Sequence, residues 1–206
     1  MSHYRSNVRD IEFNLFEVFN IETHLGREPF AEVDKDTVCD VLSQVNVLAT
    51  GALSDVFASS DRNPPVFDPK TKTVTMPKDF VAAYNTLMDG QWWRLELPEH
   101  MGGVGAPPSL RWAVAELLLG ANPAAFMYMA GPGFASILDS LGNADQKKLA
   151  EYMVEGQWGA TMVLTEPDAG SDVGAGQTKA YAQEDGTWRL EGVQPACSQH
   201  TTRHSR

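Results

Sequence analysis

The hydrophobic period of this 206-residue chain changes once, near residue 158, and that change limits its fold more than any other feature. Up to residue 157 apolar residues recur at three- and four-residue spacing, the mark of helices buried on one face. From 158 to 193 they alternate, the mark of short strands and a hairpin. The expected class is therefore mainly α, with a few strands following the helices.

Five stripes define the helical part. Ile11, Leu15, Val18 and Phe19 predict an amphipathic N-terminal helix. Val38, Leu42, Val45, Ala49, Leu53, Val56 and Phe57 predict a long one, with Asp34 or Asp36 as its cap. Phe80 to Met88, ended by Gly90, predicts the next, with Pro77 leading its first turn. Leu110 to Leu118 predicts another, and a single helix is expected from Phe126 to Leu141. Asn143-Ala-Asp-Gln146 reads as a capping box for a last helix stopped by Gly156. Val66-Phe67 and Thr73-Val74 flank a turn and predict a short ribbon.

Leu117 to Leu138 is uncharged and long enough to cross a bilayer. Asn122-Pro123 interrupts it, and its flanks lack basic and aromatic anchors, so two buried helices are expected rather than a membrane span. Sixteen basic against 27 acidic residues give a net charge of −11. That balance disfavours nucleic acid and anionic membrane surfaces as partners. Cys39 and Cys197 form no CxxC pair, the five histidines show no zinc-ligand spacing, and no metal site is expected. Cys39 reads as a packed thiol and His100 as a loop residue. No apolar run follows the first residues, which with the cysteine usage gives a cytoplasmic expectation.

Beyond 158, Ala160 to Thr165 predicts a strand, Glu166-Pro-Asp-Ala-Gly-Ser-Asp172 a loop, and Thr178–Ala182 with Trp188–Val193 a hairpin. Residues 194–206 then lose both alternation and acidic residues. They are expected to be a tail that departs from the pattern, as if the β domain were cut within a hairpin by a shifted reading frame.

Met162-Val-Leu-Thr-Glu-Pro-Asp-Ala-Gly-Ser-Asp172, followed by Thr178-Lys-Ala180, resembles the acyl-CoA dehydrogenase family. Leu97-Pro-Glu99, Gly102-Gly-Val-Gly105 and Leu141-Gly-Asn-Ala-Asp-Gln-Lys-Lys148 agree with it, so the resemblance covers roughly 77–193. Tyr4 to Val18 resembles the extra N-terminal segment of a bacterial branch of larger members. The resemblance implies an N-terminal helical domain followed by the first strands of a truncated middle β domain. It divides the chain into a helical extension (1–36), a helical domain (37–157), an incomplete β domain (158–193) and the tail (194–206).

The resemblance also implies FAD as cofactor and α,β-dehydrogenation of an acyl-CoA to a trans-2-enoyl-CoA in fatty-acid β-oxidation. Electrons would pass to an electron-transfer flavoprotein, and the full-length family forms homo-oligomers. In the family, backbone groups at the positions of Met162 and Leu164 and the hydroxyl at the position of Thr165 face the flavin. Ser171 matches a serine that meets the FAD diphosphate and the CoA arm of the substrate. The family's catalytic carboxylate lies in a C-terminal helical domain that the 206 residues do not contain, so no catalytic residue is assigned and the chain alone is expected to be inactive. Two alternatives stand beside this reading: a non-catalytic fragment or helical interaction module, and an acyl-CoA oxidase-type flavoenzyme on the same scaffold.

Overall fold

The structure is a computed structural model that describes residues 3–193 and divides them into two units, 3–159 and 160–193. The tail at 194–206, with Cys197, lies outside the described residues.

The first unit is helical. Its elements are α1 (Val8–Glu12), α2 (Lys35–Leu48), α3 (Ser54–Arg62), α4 (Lys78–Asp89), α5 (Pro108–Ala121), α6 (Pro123–Tyr128), α7 (Gly131–Leu141) and α8 (Ala144–Glu155), with a ribbon of β1 (Val66–Asp68) and β2 (Thr73–Thr75). The ribbon pairs Val66 with Thr75 in antiparallel register, and Asp68 closes its turn by accepting the Lys70 N–H at 2.8 Å.

One hydrophobic core runs through the unit. Val38, Leu42 and Val45 of α2 meet Leu110, Val114, Leu117 and Leu118 of α5, with Phe80 and Leu87 of α4. Ile11, Leu15, Ile21, Leu25 and Val33, all before residue 37, enter the same cluster. Full burial of each Leu or Val is worth about 1.5–3 kcal/mol.

Local chemistry sets the ends. Asp34 caps α2 by accepting the Thr37 N–H, and Asn143 and Gln146 cap α8 reciprocally. Asn122 ends α5 and its side chain caps α6 by accepting the Ala125 N–H. The break in the uncharged 117–138 segment thus falls at Asn122-Pro123.

Three details differ from the stripes. The N-terminal helix turns into a π-helix at Phe13–Val18, where the Phe19 N–H bonds the Asn14 carbonyl five residues back. That wider turn rotates the face, so Ile11 and Leu15 are buried while Val18 and Phe19 point outward. A second π segment, Ala49–Leu53, with non-helical Gly51, joins α2 to α3. The single helix expected at 126–141 is two, because the turn at Met129-Ala130 breaks it and Pro132 starts α7 without a backbone donor. Gly131 is required there, since a Cβ would strike the Trp158 carbonyl.

Among the described residues, the helical stretch Lys35–Arg62 is long and apolar enough to cross a membrane by length and composition. Its apolar stripe, Val38, Leu42, Val45, Ala49 and Leu53, is instead buried in the core.

The second unit holds a hairpin, β3 (Lys179–Ala182) and β4 (Trp188–Glu191), with Ala180 opposite Leu190 and Ala182 opposite Trp188. Gly186, at φ +83, makes its turn. Both strands are shorter than expected. The strand expected at Ala160–Thr165 does not form, because those residues have no ladder partner among the described residues. Only Glu166 and Ala169 are buried in this unit.

Candidate functional site

The candidate site is the run from Met162 to Asp172, on the segment leading into the hairpin. Ala160 to Thr165 has no regular secondary structure, Thr161 to Thr165 are exposed, and the segment's backbone makes no hydrogen bond to another described residue. The N–H and C=O groups of Met162 and Leu164 are therefore open to an outside partner, as is the Thr165 hydroxyl. Ser171 is also exposed, and a Cβ at Gly170 would meet nothing within 4 Å.

The loop after Thr165 is tightly closed. Glu166 and Ala169 exchange backbone hydrogen bonds at 3.2 and 3.1 Å. The Glu166 carboxylate, on a residue only 8% exposed, accepts the Gln177 N–H at 2.5 Å and the Thr178 N–H at 2.9 Å. The Thr178 hydroxyl and these two N–H groups hold its carboxyl below the usual glutamate range. In the sequence, Glu166 reads only as turn chemistry, and nothing in the turn residues signals this role. Its partners are backbone groups eleven and twelve residues on, which no side-chain pattern advertises.

The donors suit the polar edge of a flavin, where reduction concentrates negative charge and fixed N–H and O–H groups stabilise it. The same loop suits a diphosphate less well. Glu166, Asp168 and Asp172 are acidic, and the first cation downstream is Lys179. Ser171 offers a hydroxyl there without a positive charge beside it.

The other polar features belong to the helical unit. His100, on a short 3-10 turn, meets Asp139 of α7 at 2.8 Å, as an exposed loop histidine. Burial pushes the Cys39 thiol up, consistent with a packed, unreactive cysteine. A cavity of about 680 Å³ opens between the start of α2 and the turn after α4, lined by Val33, Val41, Trp92, Leu95 and Leu110. Its cation, Arg94, is engaged by the protein itself, donating to the Gly102 carbonyl at 2.6 Å and to Gln91 at 2.9 Å. Glu32 and Glu99 also line it. Among the described residues no group of three His, Cys, Asp or Glu side chains is placed to hold a metal ion.

The chain is homologous to the acyl-CoA dehydrogenases over nearly its whole length. It is 52% identical over 193 residues to a broad-specificity linear acyl-CoA dehydrogenase of Mycobacterium tuberculosis, a match covering 94% of this chain and 32% of that protein. A 3-methylmercaptopropionyl-CoA dehydrogenase of Ruegeria pomeroyi is 26% identical over 92% of this chain. A butyryl-CoA dehydrogenase of Syntrophomonas wolfei is 27% identical over 93% of it. In both cases 32% of the relative is covered, so the chain spans about a third of the length of the curated relatives it matches. No family model matches the chain.

Proposed function

We propose that this chain supplies the N-terminal helical part and the opening of the β domain of a FAD-dependent acyl-CoA dehydrogenase. The observation that carries the reading is the 52% identity to the Mycobacterium tuberculosis enzyme across 94% of the chain. The domain layout goes with it: a helical extension at 1–36, a helical domain at 37–157 and the start of the β domain at 158–193.

In this reading the backbone at Met162 and Leu164 and the Thr165 hydroxyl line one wall of the flavin site. Ser171 reaches the FAD diphosphate and the CoA arm. When bound, the flavin supplies the hydride acceptor for α,β-dehydrogenation. The chain's own donors stabilise negative charge on its edge, and they do so best when water is excluded. The substrate class is an acyl-CoA of β-oxidation, the acceptor an electron-transfer flavoprotein, the assembly a homo-oligomer and the compartment the cytoplasm.

The 206 residues alone are inactive in this account. In this reading their donors, which stand exposed, approach a flavin from one side, and the base that proton abstraction needs comes from the part of the relatives that this chain does not span. The test is direct. The purified chain should be colourless after desalting and reduce no electron acceptor when given acyl-CoA. A yellow preparation that does so contradicts the inactivity.

A further inference from the structure

We propose that Glu166 is a positioning residue: its carboxylate staples residues 166–178 into one closed loop and so sets where Thr165 and Ser171 stand. The role of those two groups at a flavin rests on the functional reading above; the staple does not.

Glu166 is the one charged residue buried among those described. A buried carboxylate is costly unless hydrogen-bonded, and this one is bonded to backbone N–H groups at the root of the hairpin. Its backbone is pinned as well, by the reciprocal bonds with Ala169. The residue therefore ties three points together: the segment ending at Thr165, the turn before Ser171, and the start of β3. Gly176 gives the carboxylate room, since a Cβ there would stand 3.3 Å from Glu166 Oε1.

The Thr178 hydroxyl lies close enough to lower the carboxyl's pKa, yet is buried without a partner of full hydrogen-bond geometry. The staple thus rests on the two backbone bonds. No charged side chain is among the causes of the shift, neither Asp168 nor Asp172 of the same loop nor Lys179 at the hairpin root. The folded pKa is depressed, so the staple is fully formed above the unfolded glutamate value. It opens as pH falls through the lower, folded value.

The test uses nitrogen-15-labelled 206-residue chain and follows amide shifts and hydrogen exchange against pH. The Gln177 and Thr178 amides should titrate with a midpoint below the ordinary glutamate range, and their protection should fall several-fold below it. Glu166→Gln, which keeps one acceptor, should abolish the titration and leave partial protection. Glu166→Leu should remove both. If a variant loses the hairpin, the wild-type titration alone decides. Amides at 177 and 178 that ignore pH through the carboxylate range overturn the staple. A second arm joins this chain to the part of the Mycobacterium tuberculosis relative that it does not span. There Glu166→Gln should cost several-fold in flavin retention with an unchanged unfolding midpoint for the helical unit. Unchanged retention would overturn the link to Thr165 and Ser171, whereas a joined wild-type chain that holds no flavin would overturn the functional reading and leave the amide result standing.

Discussion

The side-chain amide of Asn122 donates to the carbonyl of Leu53 at 3.1 Å, across 69 residues of sequence. Leu53 ends the π segment between α2 and α3, where the widened turn frees carbonyls from the helical ladder. Thr50 and Ser54 donate their hydroxyls to the Asn46 and Thr50 carbonyls of the same kink. Asn122 is 1% exposed and serves two helices at once, completing the kink and capping α6.

Asn122→Leu should therefore cost about 2–4 kcal/mol, the sum of a lost cap and an unsatisfied buried carbonyl. Urea unfolding followed by circular dichroism would measure it. A change within error would mean that water reaches the Leu53 carbonyl.

Leu117 is fully buried, while Leu141, at the end of α7, is 83% exposed. Leu117→Ala should destabilise the helical unit by about 2–5 kcal/mol, and Leu141→Ala by less than about 0.5 kcal/mol. Equal effects on the unfolding midpoint would contradict the core as described.

Burial raises the pKa of Glu96, against an opposing pull from Arg111. Its carboxyl lies where a Cβ on Gly133 would stand. A raised folded pKa means that ionisation opposes folding. The penalty is absent below the unfolded value and grows as pH rises through to the folded one. Glu96→Gln should then stabilise the protein at neutral pH, with the gain vanishing in acid. Unfolding midpoints at several pH values decide it, and a gain that grows in acid would reverse the sign.

Asp34 behaves oppositely. The Thr37 hydroxyl and N–H hold its carboxyl below the usual range. Its contribution to α2 is present above the unfolded aspartate pKa and fades as pH falls through the folded value. Asp34→Asn keeps the cap without the titration, so the variant's stability should fall less steeply than the wild type's at low pH. Parallel acid transitions would remove Asp34 from the account.

Legibility in the sequence followed the range of the interaction. The capping box at Asn143 and Gln146, the break at Asn122-Pro123 and the α5 stripe are local patterns, and each is where it reads. The π segments are not local patterns. They are set by how Ile11, Leu15 and the α2 stripe must reach one core, and nothing in the apolar spacing announces an extra residue in a turn. The strand expected at 160–165 needs a neighbour that alternation cannot supply. The motif at 162–172 was visible as a string, whereas the staple at Glu166 was not, because its partners are main-chain donors.

On the proposed function, Thr165 stands at one wall of a flavin site whose remainder corresponds to the part of the relatives that this chain does not span. The decisive experiment joins the chain to the remaining part of its Mycobacterium tuberculosis relative and times the bleaching of flavin colour by acyl-CoA. The joined wild type should hold flavin and bleach. Thr165→Val should slow bleaching by at least tenfold while changing acyl-CoA binding little, because in the proposed role the hydroxyl acts on charge that develops during transfer. An unchanged bleaching rate in the variant would contradict the claim.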